Sequence, residues 1–238
     1  MAENSIVRSF ENFFQGWLNR REQYHQELIQ AITIHNTSSQ ESEIRNKELI
    51  IKILNHYSEY YTAKTRITQE DVFLLFCPPW LSSFEHSYLW LTGFRPLLAF
   101  RLIATYDLEL SEDQSQRINS LREEIKREIF KLQILFCLLQ APTLVVALAE
   151  DMGHIQNGVT VHLDSTMDIF KTSMEALVQC ADYLRGKTLV KILEILSSSQ
   201  TVKFLATFIQ YQLSIRRYGQ RRHGEHQRPN VIQQENPT

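Results

Sequence analysis

The stretch Cys77-Pro78-Pro79-Trp80-Leu81-Ser82-Ser83-Phe84-Glu85-His86-Ser87-Tyr88-Leu89-Trp90-Leu91-Thr92-Gly93-Phe94-Arg95-Pro96 concentrates Pro, Trp and Gly in one run. Pro78 and Pro79 stop a helix, because neither offers an amide donor and each pushes the residue before it toward extended geometry. Ser82, with Glu85 three residues later, reads as a capping box that opens a new helix. That helix carries Phe84, Tyr88, Leu89 and Leu91 until Gly93 takes a left-handed C-terminal conformation, and Pro96 suits the first turn of the next helix. The run is a stop, a short apolar helix and a restart.

Helical spacing continues on both sides. Phe10, Phe14, Trp17, Tyr24, Leu28 and Ala31 recur at intervals of three or four and predict a first helix over about Ser5 to His35, ended by the polar run Asn36 to Glu43. A second helix carries Ile44, Ile51, Leu54, Tyr57 and Tyr61, and a third, short one follows Thr68 with Asp71 completing a capping box. Ser111 with Gln114 opens a long helix striped by Ile118, Leu121, Ile125, Leu132, Leu135 and Leu139. Glu128 interrupts the near-heptad spacing, and Ile129 and Phe136 widen the face, so a bundle helix fits better than a strict coiled coil. A stripe left uncovered by the rest of the chain would support a homo-dimer. Further helices are expected from about Pro142, Leu163, Thr188 and Thr201, separated by Gly153 to Gly158, by Gly186 and by Ser197 to Ser199. No long stretch alternates with period two. The fold class is all-α, a multi-helix bundle of about eight to nine helices with no sheet.

The chain has 238 residues, 43% hydrophobic and 22% charged, which suits one or two compact domains with a real core. Its formal charge of −2 offers no general attraction for nucleic acid or anionic membrane, so neither direct DNA binding nor membrane association is expected. Cys77, Cys137 and Cys180 are odd in number and widely spaced, against a disulfide framework or a zinc site. The N-terminus has no apolar signal core, and the greasiest run, Ile134 to Ala149, is broken by Gln140, Pro142 and Thr143. These features read as a soluble protein of a reducing compartment, nucleus and cytoplasm.

Nothing points to an enzyme. Glu22-Gln23-Tyr24-His25 has the Glu-x-x-His spacing of di-iron bundles, but such a site needs a second pair and further carboxylates, and no second Glu-x-x-His occurs. Nucleophile-elbow, zincin, P-loop and Rossmann patterns are missing. No catalytic residue, metal ligand or cofactor is assigned.

The C-terminal end differs from the rest. Arg216, Arg217, Arg221, Arg222 and Arg228 stand against Glu225 alone, a formal sum of +4. A solvated end is the preferred reading; contact with phosphates or an acidic partner, or a nuclear address, is the functional one. Val202, Ala206, Ile209 and Ile215 with Lys203, Arg216 and Arg217 also match a basic amphipathic helix of the kind calmodulin or another partner takes up, although the same positions serve as the core face of a bundle helix.

Together the ordered pieces resemble the plant delay-of-germination family, the seed dormancy control domain that also follows the basic leucine zipper in TGA-type transcription factors. The pieces are Phe10-x-x-Phe13-Phe14-x-x-Trp17-Leu18, His56-Tyr57-x-x-Tyr60-Tyr61, the Cys77 to Pro96 run with Pro78, Pro79, Trp80, Trp90, Gly93, Phe94, Arg95 and Pro96 at its centre, Ser111 to Leu121, and Ala181 to Leu189. The resemblance spans residues 10–219 as one helical domain, with a short end at 1–9 and a basic, disordered tail at 220–238. Relatives with haem-ligating His one turn apart in the last helix have Gln212 and Arg216 in their place here, and His223 and His226 lie in the tail, so haem is not carried over. The resemblance implies a non-catalytic plant regulatory protein acting through protein–protein interaction, in seed dormancy, hormone (abscisic acid) or developmental signalling and regulation of transcription. Phosphatases, calmodulin and TGA-type transcription factors are the expected partners. The alternatives are a ligand-sensing helical module holding an apolar molecule such as a fatty acid, and a transcription cofactor pairing with TGA-type relatives. With no zipper before the domain, direct DNA binding is not expected. Trp80, Trp90 and Phe94 are expected to be mostly buried, and Arg95 to pair with a carboxylate or with helix-end carbonyls.

Overall fold

A computed structural model describes residues 2–33, 39–106, 108–140 and 161–226. These form seven α-helices and one 3-10 turn, with no strand among the described residues. In chain order they are α1 (Ala2–Thr33), α2 (Ser39–Glu70), the 3-10 turn Val72–Leu75, α3 (Ser83–His86), α4 (Leu97–Thr105), α5 (Glu112–Leu139), α6 (Val161–Ile195) and α7 (Ser198–His226). The all-α class holds. The expected helix from Pro142 and the break at Gly153 to Gly158 lie outside the described residues.

Helix α1 buries Phe10, Phe14, Trp17 and Leu28 along one face, as their spacing requires. It runs antiparallel to α2, with Phe10 meeting Tyr60 and Tyr24 meeting His56. Helix α7 packs against both, α6 lies on α5 and touches α2, and α4 bridges α5 and α7. The core is thus continuous from Phe10 through Ile192 to Leu213.

Several expectations are corrected. On α2, Ile44 and Ile51 are exposed, and the buried face is Asn46, Leu49, Ile53, His56, Tyr57, Lys64 and Ile67. Polar members in core register hid the true stripe. Thr68 opens no helix: its hydroxyl donates to the Lys64 carbonyl inside α2, and Asp71 caps the 3-10 turn by accepting from the Phe73 amide at 2.8 Å. The helices expected from Leu163 and Thr188 are one continuous α6, in which Gly186 sits mid-helix. An interior glycine weakens a helix by only about 1 kcal/mol. Across it the Thr188 hydroxyl donates to the Leu184 carbonyl, and just after it Lys187 pairs with Glu124 of α5 at 2.8 Å. Helix α7 runs to His226, past the expected boundary at 219.

The box at Ser111 forms as read, its hydroxyl accepting from the Gln114 amide and its own amide donating to the Gln114 side chain. The α5 stripe is buried from Ile118 through Leu132, while Leu135 is exposed. Helix α6 covers that buried stretch within the chain.

Candidate ligand cavity and its buried charges

The run from Cys77 to Pro96 folds as a stop and a restart, with less helix than its periodicity implies. Ser82 and Glu85 make the reciprocal capping box, but α3 lasts one turn, Ser83–His86. The chain then closes a tight reversal in which the amides of Trp90 and Gly93 donate to each other's carbonyls at 2.7 and 3.2 Å. Its two central residues, Leu91 at φ 44° and Thr92 at φ 64°, are left-handed. Side chains rarely adopt that region, a β-branched one least of all. Gly93 is therefore not the left-handed helix cap. It is glycine because Arg185 presses on it: a Cβ there would stand 2.8 Å from the guanidinium carbon.

Arg185 is the organising residue of this junction. Its Nε donates to the Phe94 carbonyl at 2.8 Å, one Nη donates to the Trp90 and Leu91 carbonyls, and the other reaches Asp182 at 2.6 Å. The guanidinium also lies over the Trp90 ring, 5.5 Å from its centroid. This is the role expected of Arg95, which instead is exposed and reaches the Gln133 side chain at 3.4 Å. Pro78 and Pro96 are buried, and Pro79 is exposed. Trp80, Trp90 and Phe94 are half-buried, Trp80 against Phe10 with ring centroids 4.5 Å apart.

Beneath the junction lies a cavity of about 150 Å³, walled by α1, α2, the junction, α6 and α7. Its apolar walls include Phe14, Trp17, Trp80, Leu189 and Phe208, and its polar ones Arg21, Lys64, Thr92, Asp182, Arg185 and Gln212. Lys64 is almost wholly enclosed and pairs with Asp182 at 2.7 Å. Burial pulls its ammonium down to about 8 against the opposing pull of Asp182. Arg21 donates to Gln212 Oε1 at 3.1 Å, as does the Tyr57 hydroxyl, and sits 4.8 Å over the Trp17 ring. His56 stacks on the other partner face of this cluster, parallel to Trp17 at 4.6 Å. Trp17 Nε1 donates to the His56 carbonyl at 2.8 Å.

The residues of α7 that match an amphipathic target serve the core. Val202, Ala206, Ile209 and Ile215 are buried, Arg216 pairs with Glu85 at 3.0 Å, and Arg217 pairs with Glu22 at 3.2 Å. Lys203 stands at the edge, 3.9 Å from Glu109. A partner could take this face only if α7 left the bundle. Glu22, three places before His25 on α1, is engaged by Arg217. Among the described residues no three His, Cys, Asp or Glu side chains gather as metal ligands would. Gln212 and Arg216, which stand where haem-ligating relatives have His, belong to these polar contacts. Arg221 donates to the Arg217 carbonyl and Arg222 is exposed, while Arg228 and the side chains of His223 and His226 lie outside the described residues.

Arg21, Lys64 and Arg185 were not singled out from sequence. A signal existed: Arg21 and Lys64 fall four residues from Trp17 and Tyr60, in core register. Arg185 lies in the Ala181 to Leu189 piece, four residues from Ala181, but its role was hidden because its partners include carbonyls brought to it by the junction.

The family model described as "Seed dormancy control" matches residues 25–105. Protein RESPONSE TO ABA AND SALT 1 of Arabidopsis thaliana is 31% identical over 230 residues, covering 93% of this chain and 100% of that protein. Protein DOG1-like 4 of Arabidopsis thaliana is 32% identical over 230 residues, covering 92% and 96%. Transcription factor TGA7 of the same plant is 26% identical over 211 residues, which cover 87% of this chain and 55% of that factor. Among the described residues no helix is long and apolar enough to cross a membrane.

Proposed function

The chain belongs to the seed dormancy control family, and from that membership we propose that it is a non-catalytic plant regulatory protein acting through protein–protein interaction. The processes it serves are seed dormancy, abscisic acid or developmental signalling, and regulation of transcription, in nucleus and cytoplasm. The observation that carries this reading is coverage. The likeness to Protein RESPONSE TO ABA AND SALT 1 extends over the whole of that protein, whereas it takes in 55% of TGA7. Phosphatases and TGA-type transcription factors are the partner classes this predicts. Pull-down from plant extract with the tagged chain, read by mass spectrometry, tests it. Retention of either class above a tag-only control supports the reading, and recovery of no protein above that control overturns it.

A second reading, a ligand-sensing module, is favoured by one observation: the cavity under the junction is built from all the long helices but α5, so an occupant would touch elements distant in sequence. An apolar ligand there would couple the junction's conformation to its own presence.

A further inference from the structure

The charges around the cavity do not balance. Three buried cations, Arg21, Lys64 and Arg185, line it with two carboxylates, buried Glu85 and half-buried Asp182, and half-buried Arg216 stands beside them. Asp182 is shared by Lys64 and Arg185, and Glu85 is taken by Arg216. Arg21, 6% exposed, is left with the neutral Gln212 oxygen and the face of Trp17. Among the described residues its Nε has no hydrogen-bond partner and no carboxylate stands in ion-pair reach of it. A guanidinium stays charged in a protein, so burial without a counter-charge is strongly unfavourable. Thr92 repeats the pattern on the same cavity: it is buried, its hydroxyl has no partner among the described residues, and its backbone is held at φ 64°. Two unpartnered buried polar groups line one apolar cavity.

We propose that this cavity binds a compact organic carboxylate about one ring in size, whose charge is received by Arg21 and whose ring lies against the aromatic walls. The inference rests on the ligand-sensing reading and narrows it in two ways. The ligand is an anion, because an uncharged molecule leaves Arg21 without an ion-pair partner. It is also small: a cavity of about 150 Å³ is the size that takes up a benzene ring in an apolar core, and a long acyl chain does not fit in it. Inorganic phosphate would answer the charge and leave the aromatic walls without contact. Thr92 supplies a neutral donor on the same surface.

The test is fluorine NMR of the full chain with 4-fluorobenzoate as probe and neutral 4-fluorobenzyl alcohol as its control. Saturable binding of the benzoate is expected, weakened about tenfold or more by Arg21→Met, the size of effect that losing a hydrogen-bonded charge partner produces. The same substitution should change binding of the alcohol less than about twofold. Thr92→Gly relieves the left-handed backbone and so keeps the fold, and it should weaken the benzoate severalfold. That arm decides if circular dichroism shows Arg21→Met unfolded. Unchanged benzoate affinity in a folded Arg21→Met, or displacement of the benzoate by inorganic phosphate at equal concentration, overturns the proposal. Binding of the alcohol without binding of the benzoate overturns the carboxylate assignment and leaves the ligand-sensing reading standing. Binding of neither probe sinks both.

Discussion

His56 is a histidine held neutral by its surroundings. It is fully buried between Trp17, Tyr24 and Tyr57, and neither ring nitrogen has a partner among the described residues. Burial first, then the charges of Arg20 and Arg21, brings its pKa from 6.5 to about 4. The unfolded chain therefore takes up this proton at a higher pH than the folded one, and stability is lost as pH falls from 6.5 toward 4. The shift corresponds to about 3 kcal/mol. His25 moves in the same direction, through burial and the nearby Arg217. Urea unfolding between pH 4 and 7 should show this slope, and His56→Phe, which keeps the stacked ring, should flatten it; an unaltered slope in the variant would refute the assignment. At Gly93 the constraint is steric. Gly93→Ala would push Arg185 off three carbonyls and lower stability by about 3 kcal/mol, the cost of breaking a buried charged network. A thermal melt identical to wild type would show that Arg185 moves aside without loss.

At the scale of elements, two glycines that look alike in sequence behave oppositely. Gly186 lies inside α6 with nothing within 4 Å of a built Cβ, so Gly186→Ala should stabilise the protein by about 0.5–1 kcal/mol through helix propensity alone. Gly219 lies inside α7 against the cap of α3, where a Cβ would stand 2.1 Å from Ser82 Oγ. Gly219→Ala should displace that hydroxyl, break the capping box with Glu85 and destabilise by about 1–2 kcal/mol. Chemical denaturation of both variants side by side checks the pair, and a common sign would mean that helix propensity, not packing, governs both sites. The same contrast explains why α6 was expected as two helices. A glycine marks a helix end only when nothing tertiary holds the helix together across it.

For the whole molecule, α1, α2, α6 and α7 share one interior that includes Tyr57, Tyr60, Tyr61 and Lys64. Burial raises the Tyr57 and Tyr60 hydroxyls to about 12, and it raises Tyr61 as well. Unfolded tyrosines ionise near 10, so the folded state loses stability as pH rises above 10. Lys64, lowered from 10.5 to about 8, acts in the opposite sense, because the unfolded chain holds that proton longer; stability rises with pH between 8 and 10.5 on its account. One lysine stands against three tyrosines. The expected profile rises gently from pH 8 to 10 and falls beyond it. Denaturation across pH 8 to 12 measures it, and Lys64→Met should remove the rise while keeping the fall.

The sequence by itself determined what local rules control. Apolar spacing placed α1 and α5, serine boxes placed the starts of α3 and α5, and the two prolines after Cys77 placed the stop. These depend on residues three or four apart, and nothing distant overrides them. The family resemblance rested on the same kind of ordered local signal. What the tertiary structure decided are the choices where polar groups occupy core positions. The face of α2 was misread because His56 and Lys64 sit where apolar residues were sought, and their enclosure depends on Trp17 and Asp182, 39 and 118 residues away. The cavity with its uncompensated Arg21 was illegible for the same reason. Whether a buried charge has a partner depends on which side chains other helices bring to it, and those contacts exist only once the bundle has closed.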